Sequence, residues 1–336
     1  MSIQMTGIGR RLTGLTEAAY AQIPGSPAGL VLPIVTSALK VGQTRDKDQT
    51  LAGFRGMPRG VLANRQVSGS IAVNAAPGSI GWWLKHLIGA PTTTGAAAPY
   101  THTFAAAMPG AASALPPGFI IEDDQGANYD STVRYIRYQG CRINQGKFSL
   151  KASGFLSATF DVIGSTYSRA AALLDATPTD NGQHAFPAMS GALVLNSGGV
   201  IAASITQFDL TWANGLDNSN YVIGGGGTLD GLPEGNADIS GTITFLLKDD
   251  AVQAQILADA DFSITASVQN GAGDGSSAGN EKLTFTIPAG AFEINTPTIP
   301  GPKGITVQAN FSAHLTSGEL GITAVLLSPL ATVEGA

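Results

Sequence analysis

One short pattern occurs twice in this 336-residue chain and limits what the chain can fold into. The first copy is Val67-Ser68-Gly69-Ser70-Ile71-Ala72-Val73, and the second is Ile239-Ser240-Gly241-Thr242-Ile243-Thr244-Phe245. Both alternate apolar and small polar residues with period two, as a half-buried strand does. Both carry glycine at the third position, where a strand bulges or another backbone comes close. A helix-like run follows each copy, residues 79–88 and 249–260. Each helix leads through a polar Gly-rich loop to a Thr-rich strand with a phenylalanine, residues 100–104 and 283–287. The repeated order predicts an internal repeat, and with it two similar halves.

The rest of the chain reads as further strands. Residues 119–123, 132–138, 141–150, 154–162, 192–196, 200–211, 262–268, 291–294, 304–315 and 321–327 carry strand patterns, with breaks expected at Gly140 and Gly146. No long helix interrupts residues 119–162, so neighbouring strands there are expected to be antiparallel. In the first helix Ile80, Trp83, Leu84, Leu87 and Ile88 form one apolar stripe, with Trp82 and His86 towards the other face. In the second, Asp249 or Asp250 is the expected N-cap, with Val252, Ile256, Leu257 and Ala260 inward. Residues 1–65 read as mostly irregular, with a helical turn or two at 12–20 and a short strand at 36–41. A further short helix is predicted at 169–174. The tetraglycine at 224–227 reads as mobile or set against backbone, and the Gly/Ser loop at 270–280 as a mobile tip. The predicted fold is mainly β, an antiparallel β-sandwich or barrel with short flanking helices. Its divisions are an N-terminal arm and loop at 1–65, a first β half at 66–175 and a second at 176–336.

Apolar residues make up 43% of the chain, enough for a sizeable core, while charged residues make up 12%, about half the share in an ordinary soluble domain. A surface so poor in charge points to burial in an assembly. The net charge of −6 argues against a protein that wraps nucleic acid, which needs clustered cations. It does not argue against a surface that DNA slides past. The densest basic stretch holds Arg45, Lys47, Arg55, Arg59 and Arg65, with Asp46 and Asp48 interleaved. It reads either as a solvated loop or as an arm docking on a neighbouring subunit, where Arg45, Arg55, Arg59 and Arg65 pair with carboxylates.

Signals for chemistry are sparse. His86, His102, His184 and His314 fall in no metal-ligand spacing. The single cysteine, Cys141, lies in a predicted strand and reads as a buried, inert thiol. Neither Gly7-Ile8-Gly9 nor the tetraglycine is a phosphate loop, and Ser68-Gly69 and Ser240-Gly241 lack the frame of a nucleophile elbow. The acid pairs Asp123-Asp124 and Asp249-Asp250 read as a strand end and a helix N-terminus. No metal, cofactor or catalytic residue is therefore assigned. No membrane span and no signal peptide is evident.

Several segments in order carry a resemblance: the 67–73 strand with Trp82-Trp83-Leu84 behind it, Tyr100-Thr101-His102-Thr103-Phe104, and Tyr138-Gln139-Gly140-Cys141-Arg142-Ile143-Asn144. They are followed by Gln207-Phe208-Asp209-Leu210-Thr211-Trp212-Ala213-Asn214-Gly215-Leu216 and Ile239-Ser240-Gly241-Thr242-Ile243. Together the chain resembles the major tail tube proteins of long, flexible-tailed bacteriophages. The resemblance implies a structural virion protein, not an enzyme, whose subunits close into hexameric rings that stack into a tube. Its partners are then further copies of itself, tail tip or baseplate and tail terminator proteins, a tape measure protein in the lumen, and DNA in transit. Assembly takes place in the host cytoplasm. On this reading the inner wall is acidic and weakly charged, and removing residues 1–30 leaves folded subunits that polymerise poorly. Two other readings share the composition. One is a different self-assembling β protein, such as a capsid decoration or surface module. The other is a carbohydrate-active β-sandwich enzyme, which needs convergent carboxylates and an aromatic platform.

Overall fold

Alternation sets the strands here, and antiparallel pairing joins them. A computed structural model describes residues 7–48, 57–105, 116–126, 129, 132–182, 184–196, 200–201, 204–248, 250–294, 296, 304–314 and 322–334. The chain opens with β1 (Arg11–Thr16), β2 (Leu30–Leu32), β3 (Thr36–Ser37), β4 (Lys40–Asp46), β5 (Val61–Asn74) and helix α1 (Pro77–Leu87). It continues through β6 (Thr92–Thr94), β7 (Tyr100–Ala105), β8 (Phe119–Asp124), β9 (Tyr135–Lys151), β10 (Ser157–Gly164) and β11 (Thr166–Ala170). The chain then holds β12 (Ala192–Asn196), β13 (Val200–Ile201), β14 (Ser204–Ala213), β15 (Asp238–Leu246) and helix α2 (Ala251–Leu257). It ends with β16 (Phe262–Gln269), β17 (Lys282–Phe292), β18 (Thr306–Ala313) and β19 (Thr323–Ser328).

The strands form one large antiparallel sheet system with three parts. The first runs β4–β5–β10–β9–β14–β15–β18. The second runs β6–β7–β19–β17–β16–β12. The third, smaller part runs β2–β1–β8–β9–β11. β9 belongs to two parts: residues 135–141 pair with β8 and β11, and residues 142–151 with β10 and β14. The crossing point is Gly140, which adopts φ +66° beside a register shift opposite β8. The expected breaks at Gly140 and Gly146 are thus a bulge and a continuation within one strand, since a bulge bends a strand without ending it.

The first and second parts face each other across the core. Phe148 of β9 meets Phe285 of β17 with ring centroids 4.9 Å apart. Residues Gly290–Phe292 of β17 also pair with β18, which joins the two parts along one side. α1 packs between them and is buried on every face. Trp83 stacks on Phe160 of β10 (4.6 Å, 4°), and Trp82 meets Phe119 of β8 edge-on (5.2 Å, 72°). Trp82 and His86 therefore do not face away from the core, as a single-stripe helix requires; both are buried. β16, β17 and β18 carry a second aromatic cluster, with Phe262 stacked on Phe292 (4.0 Å, 18°) and Phe311 edge-on to both.

The two motif copies lie on β5 and β15. β5, α1, β6 and β7 follow the same order as β15, α2, β16 and β17. β6 pairs with β7 as β16 pairs with β17, and β7 and β17 flank β19 on opposite sides. The two motif glycines mark close approach. A Cβ on Gly69 would lie 2.3 Å from the Ala38 carbonyl oxygen, and one on Gly241 would lie 2.3 Å from that of Asp209.

Several expectations are corrected. Within residues 1–65, β1 to β4 lie where one short strand was expected; β1 stands where a helical turn was expected, held between β2 and β8. Residues 166–170 form β11 on β9 rather than leading into a helix. Leu257 of α2 is exposed rather than inward, and α2 ends before Ala260. Asp250 takes the N-cap position without a side-chain capping bond; Asp249 lies outside the described residues. Of the two readings of the tetraglycine, the second holds: it is set against the backbone of β5, its Gly227 carbonyl accepting the Arg65 N–H at 2.8 Å. The 270–280 loop is tied down by its own hydrogen bonds, Gly275 N–H to the Asn280 carbonyl and Gly273 N–H to that of Asn270 among them. No described helix is long and apolar enough to cross a membrane.

Candidate functional site: an open polar face between two different rims

Period-two alternation gives the first part of the sheet one buried face and one open face. Val67, Ile71, Phe160, Phe148, Leu210, Ile243 and Ala309 point into the core. Pairing aligns the opposite residues into rows that cross six strands. One row is Ala72, Thr159, Lys147, Thr211, Ser240 and Ser312; the next is Asn74, Ser157, Ser149, Asp209, Thr242 and Asn310. Apart from Lys147 and Ala72 the side chains are small and polar, and all are half-buried or exposed. Lys147 and Lys151 balance Asp161 and Asp209, so the face is mixed in sign rather than acidic. Asp209 is held on the sheet by Ser149 Oγ (2.5 Å) and Gln207 Nε2 (2.5 Å), which both donate to it.

The two ends of this face differ. At one end Val61 to Gln66 of β5 pair only with β4, so the β4–β5 hairpin overhangs the sheet by six residues, about 20 Å. The loop between β14 and β15 crosses the same rim. Its Leu229 carbonyl accepts from Ser165 Oγ (2.8 Å), and its Glu234 accepts from Arg142 (2.8 Å). At the other end a groove of about 580 Å³ is lined by Pro33, Ile34, Val35, Asn74, Phe155 and Pro187, with His184 and Asn270 among its polar residues.

The four arginines named from sequence divide here. Arg45 and Arg65 lie on opposite strands of the overhanging hairpin, and Arg59 is exposed just before β5. Arg45 donates to the Gly60 carbonyl (2.9 Å) and so staples the hairpin. The Nε of Arg65 is buried without a hydrogen-bond partner among the described residues. Arg55 lies outside the described residues. Pattern reading missed the hairpin because both its strands are exposed, so no apolar alternation marks them.

The acids that invite a catalytic reading have structural partners. Asp123 pairs with Arg10, Asp124 with Arg134 and Glu122 with Arg137. Burial raises the Asp123 carboxyl despite Arg10. For Asp124 burial acts in the same direction but is outweighed by Arg134 and the Gly126 N–H, which hold it below the usual range. Glu17 is buried at the β9 bulge, where its carboxylate accepts from the N–H groups of Gly140 (2.7 Å) and Ala21 (3.0 Å). Burial pushes it up to about 7 against those two donors. Cys141 is buried beside it, its thiol raised by desolvation. All three tryptophans are buried, which leaves none to form a sugar-binding platform. Among the described residues no group of three or more His, Cys, Asp and Glu is placed to hold a metal ion.

Asn214, inside one of the segments that carry the resemblance, acts as a joint. Its side-chain amide donates to the carbonyls of Leu87 (3.0 Å) and Ile143 (2.9 Å), and its Oδ1 accepts from Trp212 Nε1 (2.6 Å). It thereby caps α1, whose last carbonyls have no partner within the helix. Residues 7–313 match the model of a family described as phage tail tube protein. The chain belongs to the phage tail tube proteins. Comparison with curated protein sequences gives no match. As a tail tube protein the chain is a structural component of the phage tail.

Proposed function

We propose that this tail tube protein polymerises into stacked rings, hexameric as the resemblance implies, with the open polar face lining a channel through which DNA passes into the host cell. The observation that carries the reading is that face. It offers rows of small hydroxyl and amide side chains across six strands, with few charges and both signs. A passing duplex meets no cationic surface to bind and no dense anionic one to repel it. β4 is the outermost strand on one side of the first part; on the other, β18 pairs with β17 from Phe311 onward, and among the described residues only Thr306 to Ala309 are open along its outer edge. Joining β4 of one subunit to this open stretch of β18 on the next extends that part round a ring and covers both edges. The two similar halves, residues 66–175 and 176–336, each contribute a segment of wall, with residues 1–65 as arm and hairpin. Arg45, Arg59 and Arg65 serve inter-subunit contacts, and the tail tip, terminator and tape measure proteins meet the ends and lumen of the tube. Assembly takes place in the host cytoplasm, and the role is structural rather than catalytic.

Negative-stain electron microscopy of concentrated protein tests the polymer: hollow tubes with a stained channel are expected, and discrete particles at every concentration count against it. Cysteine labelling tests the wall. In tubes Ser312→Cys is expected to be shielded from a bulky maleimide while Thr94→Cys, at the outer edge of the second part, still reacts. The reverse pattern puts the wall elsewhere.

A further inference from the structure

The open face carries its charges in an order. Lys40 of β4 stands level with Ser68, Ile163 and Arg142, and Arg142 is already paired with Glu234. The next row, from Ser70 through Asp161, Gln145 and Ala213 to Asp238, is acidic. The row of Thr159 and Thr211 holds Lys147, and the row of Ser157 and Thr242 holds Asp209. The last row holds Lys151, level with Gln207, Thr244 and Gln308. The sign therefore changes at every row from Lys40 to Lys151, and the charges within these rows cancel. All of these charged side chains are exposed or half-buried.

Sheet stability does not require this order. Opposite charges stabilise a sheet when they face each other directly across two strands. Here Lys147 lies between Thr159 and Thr211, and Asp209 between Ser149 and Thr242. Electrostatics gives the order a different consequence. Successive rows are about 7 Å apart along a strand, so one full alternation spans about 14 Å. The field of charges alternating with that period decays over the period divided by 2π, about 2 Å, well inside the screening length of about 8 Å at physiological salt.

We propose that Lys147 and Lys151, interleaved with the rows of Asp161, Asp238 and Asp209, cancel the field over this face, so that a linear polyanion such as duplex DNA moves along it without adhering. The order of the rows, rather than their net charge, governs passage. This rests on the channel reading for where the polyanion runs, and adds what the wall does to it. The same charges gathered into one acidic and one basic band have about twice the period, and at 10 Å from the face their field is roughly tenfold stronger. The basic band then holds phosphate.

The test exchanges signs between rows of the full chain at constant net charge. Lys147→Asp with Asp209→Lys puts the acidic rows together and the basic rows together. Asp161→Lys with Lys151→Asp groups the signs the other way and leaves Asp209 on its hydrogen bonds to Ser149 and Gln207. For soluble subunits the probe is a heparin resin: both double variants are expected to elute at about twice the salt that releases wild type, or more. Co-elution of both with wild type overturns the proposal. For tubes the probe is labelled duplex DNA sedimented with the polymer at low salt, where screening reaches about 30 Å. Row-exchanged tubes are expected to carry down about tenfold more linear duplex than wild-type tubes. A closed circular duplex cannot thread a channel and serves as the control. Retention of linear duplex alone supports both the row order and the channel. Equal retention of linear and circular duplex supports the row order and counts against the channel. Row-exchanged tubes that release linear duplex as wild type does overturn the proposal and leave the channel reading standing.

Discussion

Glu17 shows how a single side chain couples this fold to pH. Its folded value of about 7 lies above the ordinary 4.5 because burial outweighs the two backbone donors. A raised carboxyl favours the folded state fully below the unfolded value, and the contribution fades as pH rises through the folded one. Glu17 alone is therefore expected to lower thermal stability between pH 4.5 and 7 by on the order of 3 kcal/mol, against an opposing rise up to pH 6.5 from His86, which burial pushes down to about 3. Glu17→Gln should remove that fall; parallel melting curves across this window for wild type and variant would assign the dependence to another group. The motif glycine Gly241 acts sterically instead. A methyl group there lies 2.3 Å from a backbone oxygen that cannot move without breaking the β14–β15 ladder. Gly241→Ala is expected to cost about 1–3 kcal/mol in chemical denaturation, the usual penalty of overpacking.

At the scale of elements, the two helices look alike in sequence and differ in the fold. α1 is enclosed, so Trp83→Ala removes a ring stacked on Phe160 and should cost about 3–5 kcal/mol. α2 leaves Leu257 exposed, so Leu257→Ala should stay within about 0.5 kcal/mol. Asn214→Asp should destabilise more than Asn214→Ala at neutral pH, because a carboxylate would face the Leu87 and Ile143 carbonyls with no proton to give; the order of the two melting temperatures checks this. What was legible in the sequence follows from the same physics. β5, β10, β15 and β18 have one wet and one dry face, and period two reveals them. β1 is buried at Leu12, Thr13, Gly14 and Leu15 in succession, so it shows no alternation and reads as something else. Gly14 also looks like a breaker until Trp82 is seen 2.6 Å from where its Cβ would be. The hairpin has the opposite problem, with both faces wet. The open face was legible strand by strand, but its rows and its mixed charge needed the register that pairs Lys147 with Thr211 and Ser149 with Asp209.

At the scale of the whole molecule, the N-terminal segment is part of the fold before it is an arm. β1 pairs with β8 over six residues and buries Leu12 and Leu15. Removing residues 1–30 is therefore expected to abolish cooperative unfolding, contrary to the sequence expectation of folded subunits. Removing residues 1–9 is expected to leave a cooperative transition, read by circular dichroism, and isolates any bridging role from folding; normal tubes from that shorter truncation would end the bridging-arm reading. The pairing of β7 with β19 sets a schedule for synthesis. Ala105 pairs with Thr323, and at a ribosomal rate of roughly 5–20 residues per second β7 waits about 10–40 s for its neighbour to emerge. During that interval one side of β7 is open to any strand nearby, and one side of β17 joins it only over the last few tens of residues. A nascent chain in a crowded polysome thus cannot close its second layer before residue 328 is made, and premature pairing between neighbouring nascent chains is the hazard that translation speed and chaperones must hold off.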